Sequence, residues 1–197
     1  MKIFLDFDNT IVDTNDSLCK YLSQVYHKDI STKDIIKYDL SNVIKLSIEE
    51  LSNIFSSDLL FNNLQPYPGV RYVLHELKKS NLFEIYLVSN SSEESTKQKL
   101  KWLKETNLDK YFDGKIFLNI NKPFDKSLIN MKDSIFVDDH KFNHETSNAT
   151  YKYSYVKHPD VKATWYPWDN KDVTLFSSWG KDIVDEFIKL ASLDLNK

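Results

Sequence analysis

The sequence predicts an α/β fold, a parallel sheet flanked by helices, with a helical segment inserted after the first strand. Three observations lead there. Short apolar runs at residues 3–5, 82–88 and 134–137 alternate with stretches of helical periodicity. The run at 82–88 (LFEIYLV) is almost continuously apolar, as strands covered on both faces of a parallel sheet tend to be. Residues 14–66 read as helical, with no convincing strand, and end at the strong punctuation Pro66-Tyr67-Pro68-Gly69.

In order, the first strand covers residues 3–5 and ends at Asp6. Thr14 or Asn15 can cap a helix on which Leu18, Tyr21, Leu22 and Val25 recur at helical spacing. Ser31-Thr32-Lys33-Asp34 starts a shorter helical segment, and Ser47-Ile48-Glu49-Glu50 is a capping box ahead of Leu51, Ile54 and Phe55. Val70, Val73, Leu74 and Leu77 then make one helix face. The buried strand at 82–88 runs into a polar turn, Ser89-Asn90-Ser91-Ser92, and a helix carrying Leu100, Trp102 and Leu103. Strands are expected at 115–118, 134–137 and 151–156, and a closing amphipathic helix carries Ile183, Val184, Phe187, Ile188 and Leu190. The chain thus divides into an α/β core, residues 1–13 and 68–197, and a helical insertion, residues 14–67. The insertion falls at the carboxyl end of the sheet, where open α/β folds bind their ligands, and is placed to act as a lid.

Composition narrows the partners. A net charge of −3, with lysines scattered rather than clustered, leaves no basic footprint for a nucleic acid polymer or an anionic membrane. No apolar stretch has the length of a membrane span, and Asp6 cuts the N-terminal apolar run too early for a secretory signal. The single Cys19 rules out an intramolecular disulfide and fits a reducing compartment, so a cytoplasmic location is expected. The oligomeric state stays open between a monomer and a homodimer.

Asp6 and Asp8 alternate on an extended strand and therefore project together, with Phe7 turned the other way. Two carboxylates side by side call for a cation or a shared proton. Three more polar groups fall at the same structural position, a strand end or the loop just beyond it: Ser89/Asn90, Lys126 (or Lys122), and Asp138/Asp139. Strand ends of a parallel sheet converge on one crevice, so these groups share a site. Oxygen donors without a Cys or His cluster favour Mg²⁺ over zinc. A lysine and a hydroxyl beside such a cation suit a phosphoryl group, which Asp6 could attack while Asp8 handles protons.

DFDNT, the Ser89 turn, the lysine and FVDD together resemble the four motifs of the haloacid-dehalogenase-like (HAD) phosphatases, and the insertion resembles that superfamily's cap of the first type. Tyr38-Asp39-Leu40-Ser41, Asn63-Leu64-Gln65-Pro66-Tyr67-Pro68-Gly69, Lys99-Leu100-Lys101-Trp102-Leu103, Asp125-Lys126-Ser127-Leu128-Ile129 and Leu175-Phe176-Ser177-Ser178-Trp179 extend the likeness to the 5′(3′)-deoxyribonucleotidase family over most of the chain. The resemblance implies a Rossmann-like HAD core and a Mg²⁺-dependent phosphatase of (deoxy)nucleoside monophosphates that works through an aspartyl-phosphate. It makes Asp6 the nucleophile and Asp8 the general acid/base, with Asp8 also lending its backbone carbonyl to Mg²⁺. Ser89 and Asn90 then contact the phosphate, Lys126 or Lys122 neutralises it, and Asp138 and Asp139 complete the metal site with Asp6 and Asp8. Thr10, Tyr38 and Phe61 become substrate or cap residues. The family's usual Thr-Ser-Pro is Ser89-Asn90-Ser91 here, and Lys126 stands two residues further from Asp138 than is usual, which keeps Lys122 as an alternative.

Two other functions compete. The same chemistry could serve another small phosphate ester such as a sugar phosphate, a choice that the cap rather than the motifs decides. A non-enzymatic receiver-type phosphoacceptor domain also combines acids, a hydroxyl and a lysine, but it carries its adjacent acids after the first strand and has no use for a helical insertion. His140 and His144 are expected to be solvated, and Tyr38, Phe61 and Tyr67 are expected either to stack on a base or to pack the cap.

Overall fold

The computed structural model describes residues 1–119 and 126–194. Its strands are β1 (Lys2–Leu5), β2 (Glu84–Ser91), β3 (Gly114–Asn119), β4 (Ser134–Val137), β5 (Tyr151–Tyr155) and β6 (Val173–Phe176). They form one sheet, all pairs parallel, in the order β3-β2-β1-β4-β5-β6. The helices are α1 (Thr14–Tyr26), α2 (Ile48–Ile54), α3 (Asp58–Asn63), α4 (Val70–Lys79), α5 (Glu93–Glu105), α6 (Lys141–Thr146) and α7 (Lys181–Asp194). The architecture is the parallel α/β sheet that the apolar runs predict, and it is Rossmann-like, as the family resemblance implies.

β1 lies between β2 and β4, and Ile3, Phe4 and Leu5 are all buried, which is why its apolar residues are consecutive rather than alternating. Fully burying a side chain of this size is worth roughly 1.5–3 kcal/mol. The strand order reverses here: the chain leaves β1 toward β2 and leaves β4 toward β5, on opposite sides. A crevice opens beyond the carboxyl ends of these two neighbours, the place where such sheets take ligands.

Residues 14–67 add no strand to the sheet. The chain enters and leaves this insertion at one point, where Asp13 N donates to Gln65 O at 2.9 Å and Tyr67 N to Ile11 O at 3.0 Å. Inside it, Leu18, Leu22, Ile54, Leu60 and Phe61 are buried, and Ser17 Oγ donates to the carbonyl of Leu60. A strap from the core, residues 157–168, clasps the insertion. Thr164 N donates to Ile36 O at 2.9 Å, Thr32 Oγ1 and His158 Nε2 are 2.8 Å apart, and Lys33 pairs with Asp160 at 2.7 Å.

The structure departs from the sequence expectation in four places, the first being Ser89-Asn90-Ser91, expected in a polar turn but forming the last residues of β2, paired with Phe117, Leu118 and Asn119 of β3. The helical segment expected from Ser31 is a series of turns, because Asp34 accepts from Ser31 N (2.7 Å) and Ser31 Oγ (2.8 Å), a local bond that competes with the helix. The cap of α1 is Asp13, whose carboxylate accepts from Asp16 N at 3.1 Å. β6 has no counterpart in the sequence reading, since its four residues at the sheet edge bury little apolar surface. Gly69, at φ 89, completes the return to the core: a Cβ there would stand 1.7 Å from the carbonyl oxygen of Trp179.

Candidate active site

Asp6 continues β1, its N–H bonded to Val137 O at 2.9 Å, and Asp138 continues β4, its N–H bonded to Tyr153 O at 3.1 Å. The Lys126 ammonium stands between them, 2.5 Å from Asp6 Oδ1 and 2.5 Å from Asp138 Oδ2, with Val88 O at 3.3 Å. It is 1% exposed, and this lysine, met in sequence as one of two candidates, is a buried cation tying adjacent strand ends together. Lys122 lies outside the described residues. Asp138 also accepts from Asn143 Nδ2 (2.9 and 3.0 Å) and His140 N (2.8 Å).

These surroundings separate the carboxyl groups. Burial pushes Asp6 up to about 7; the Lys126 charge opposes this, and Asp138 and Asp8 add to it. Burial works on Asp138 in the same direction, but Lys126, His144 and the Asn143 amide outweigh it and hold Asp138 below its ordinary range. Asp139 is raised well above the carboxylate range by burial and by the charges of Asp138 and Asp6.

Asp8 projects beside Asp6 from the turn after β1, where Asn9 adopts φ 52. Its Oδ1 accepts from Thr14 Oγ1 at 2.8 Å, and its Oδ2 lies 2.5 Å from the ammonium of Lys99. Lys99 Nζ also donates to Ser89 Oγ at 2.8 Å. One lysine therefore joins the carboxylate after β1 to the hydroxyl at the end of β2. Asn90 and Ser91 follow on the cavity wall, and Ser91 Oγ is buried with no hydrogen-bond partner among the described residues.

Above this floor is a cavity of about 290 Å³ between the insertion and the core. Asp8, Asn90 and Lys99 form its base, and Leu18, Leu51, Phe55, Tyr38 and Trp165 are among its walls. Of the aromatic residues proposed from sequence, Tyr38 lines the cavity, edge-on to His140 at 4.9 Å and to Trp165 at 6.3 Å. Phe61 does not line it: as part of α3 it is buried in the core cluster, its apolar ring packed inside the insertion. Tyr67 is likewise buried, 4.4 Å from Tyr155. Thr10 is fully buried below the cavity, where its carbonyl accepts from Trp179 Nε1 at 3.1 Å.

The histidines correct the sequence expectation. His144 is fully buried on α6, not solvated, with Nε2 2.8 Å from Asp138 O; because a carbonyl only accepts, Nε2 carries the proton. Burial lowers the pKa of His144 and of His140, so both favour the neutral ring. His140 is half-buried and caps α6, its Nδ1 accepting from Phe142 N at 3.2 Å.

Four contributors are given no role in the site by the motifs: Lys99, although it opens the segment Lys99–Leu103 that carries part of the resemblance, and Thr14, Asn143 and Trp165. A signal existed for Lys99. It falls on the same α5 stripe as the buried Ser95, Trp102 and Leu103, a charge at a core position. Asn143 and Trp165 act through contacts that no spacing announces; Trp165 Nε1 donates to Asp139 Oδ2 at 2.9 Å.

Among the described residues, no three Asp, Glu, His or Cys side chains converge as a ready metal cage. Lys126 stands between Asp6 and Asp138, where it already supplies positive charge to the pair. The carboxylates expected from sequence to hold a cation, Asp6, Asp8, Asp138 and Asp139, offer oxygen donors alone, a chemistry that suits a hard ion such as Mg²⁺.

Solved structures share this fold. A HAD-superfamily hydrolase of subfamily IA from Geobacter sulfurreducens superposes with a TM-score of 0.54 at 15% identity, over 78% of this chain and 88% of its own. The HAD-hydrolase YfnB from Bacillus subtilis, solved bound to magnesium, gives 0.57 at 13% identity over 96% and 97%. CbbY from Rhodobacter sphaeroides, solved with phosphate, gives 0.51 at 8% identity over 90% and 94%. No curated protein sequence matches the chain. The sheet thus shares the fold of these HAD-superfamily hydrolases. More narrowly, the chain belongs to the family described as 5′ nucleotidase, deoxy (Pyrimidine), cytosolic type C protein, whose model matches residues 1–173, and so to the HAD phosphatases.

Proposed function

We propose that the protein hydrolyses nucleoside monophosphates, with a lean toward deoxyribonucleotides, in a Mg²⁺-dependent reaction through an aspartyl-phosphate. One observation carries the reading: Lys126 joins Asp6 to Asp138 across the ends of two adjacent strands, and Lys99 joins Ser89 to Asp8, which lines a cavity walled by Tyr38, Phe55 and Trp165. The cavity is near the small end of the range for small-molecule sites, about 300–1,000 Å³, and suits one aromatic base and a sugar. Its family is the deoxyribonucleotide-type 5′-nucleotidases.

Asp6 is the nucleophile. One carboxylate oxygen forms a bond to phosphorus while the ester P–O bond breaks, and Asp8 gives the departing alkoxide a proton. Asp8 then takes a proton from the water that attacks the phosphoryl group on Asp6; inorganic phosphate leaves and the Asp6 carboxylate is restored. Ser89, Asn90, Lys99 and Lys126 surround the phosphoryl oxygens with donors and positive charge. Asp6, the Asp8 carbonyl, Asp138 and Asp139 would hold Mg²⁺, which would supply charge neutralisation at the phosphoryl group. The insertion walls the cavity that Asp8 lines and would limit bulk water on that side of the reacting group.

The test is phosphate release from 5′ and 3′ deoxyribonucleotides, ribonucleotides and sugar phosphates, each with and without Mg²⁺. Mg²⁺-dependent turnover of nucleotides, lost in Asp6→Asn, is expected. No response to nucleotides together with brisk turnover of sugar phosphates would overturn the substrate assignment, and full activity in Asp6→Asn the mechanism.

A further inference from the structure

Trp165 stands where three parts of the molecule meet. Its indole Nε1 donates to Asp139 Oδ2 at 2.9 Å, and among the described residues no other side chain donates to that carboxylate. Its ring walls the cavity, lies edge-on to Tyr38 of the insertion at 6.3 Å and stacks on Tyr166 at 5.3 Å. The backbone is held from both sides as well. Trp165 O accepts from Lys141 N (2.7 Å) at the start of α6, two residues after Asp139, while the preceding Thr164 N donates to Ile36 O (2.9 Å) in the insertion.

A carboxylate with one oxygen held by a buried donor presents its other oxygen in a fixed direction. Groups that orient a metal ligand in this way commonly change metal affinity about 10- to 100-fold when removed. The strap that carries Trp165 is itself seated on the insertion by Thr32–His158 and Lys33–Asp160. We propose that Trp165 is a positioning residue that aims Asp139 at a divalent cation and ties that aim to the seating of the helical insertion. The proposal rests on the reading of Asp139 as a metal-site carboxylate.

Calorimetric titration of the full chain with Mg²⁺, in the absence of substrate, tests it. Trp165→Phe keeps an apolar ring and loses the N–H; its Kd for Mg²⁺ should rise about 10- to 100-fold. Trp168→Phe is the control. It removes an indole bond to Ala163 O (2.8 Å) in the same strap and should leave the Kd within about twofold. The double variant Thr32→Val/Lys33→Ala unseats the strap from the insertion and should weaken Mg²⁺ by at least about threefold, a smaller loss than that of the direct donor. A second measurement needs no variant at position 165: in wild-type protein with ¹⁵N-labelled tryptophan, one indole resonance should shift on adding Mg²⁺ and persist in Trp168→Phe. Equal affinities of wild type and Trp165→Phe, or Mg²⁺ binding that moves no indole resonance, would overturn the proposal. Unchanged affinity in the double variant would overturn its coupling to the insertion. Failure of the wild type to bind Mg²⁺ would instead remove the reading of the metal site itself, and the proposal with it.

Discussion

Lys99 Nζ stands 2.5 Å from Asp8 Oδ2, a contact that spans 91 residues and joins α5 to the turn after β1. The lysine is 3% exposed and also donates to Ser89 Oγ. In Lys99→Met, kcat/KM for an aryl phosphate should fall about 100-fold or more, the usual loss when one donor to developing charge is removed. Thermal stability should fall as well, because the substitution removes one partner of a largely buried pair and leaves the Asp8 carboxylate and Ser89 hydroxyl without their donor, a loss tempered by the partial exposure of Asp8. A phosphate-release assay beside a melting curve reads both, and unimpaired turnover would take Lys99 out of the catalytic machinery.

The Asp6 carboxyl sets a pH dependence. Its pKa rises from 3.8 to about 7, first through burial, so the folded chain keeps a proton that the unfolded chain loses. The resulting stabilisation is complete below about pH 4 and disappears as pH rises through about 7. Between pH 5 and 8 the metal-free protein should therefore lose more Tm than Asp6→Asn does, as measured by scanning calorimetry. Mg²⁺ binding near pH 6.5 should release protons, so its calorimetric enthalpy should vary with the ionisation enthalpy of the buffer.

Gly69→Ala should be severe. The new Cβ would meet Trp179 O at 1.7 Å on a backbone at φ 89, and the carbonyl belongs to a residue whose indole is bonded to Thr10 O. A loss of several kcal/mol is expected, seen as a shifted urea midpoint or as insoluble protein. A variant as stable as wild type would show that the return to the core can relax.

Cys19 should be inert in the folded protein. Burial, then the charges of Asp16 and Asp13, pushes its thiol up to about 12. A disulfide reagent at pH 8 should therefore label nothing in native protein and one thiol in denaturant. Rapid labelling of the native chain would contradict the packing around α1.

The two central strands and their acids were legible in sequence because their signals are local: an apolar run and the carboxylates that follow it, at residues 3–8 and 134–139. The Ser31 region misled because its local carboxylate bond imitates a helix start and then closes as a turn. β6 was silent because an edge strand of four residues carries almost no pattern. Within the site, Lys126 was legible through motif resemblance, whereas Trp165 and Asn143 were not, since each reaches its carboxylate through a loop or a short helix whose path only tertiary packing fixes. His144 looked exposed because it is a polar residue near acids, yet the Asp138 carbonyl gives it the partner that burial requires.

The insertion departs and returns at a single clasp, Asp13 N to Gln65 O and Tyr67 N to Ile11 O. An excursion closed at its base places no condition on strand register, so its length and contents can vary while the sheet stays intact. A foreign helical segment grafted between these two junctions would leave the pairing of the strands untouched, but it would have to replace the Thr14 bond to Asp8 and the Ile36 carbonyl that holds the strap of Trp165. Tolerance of exchange therefore belongs to the sheet, while the strand-end carboxylates stay linked to whatever covers them.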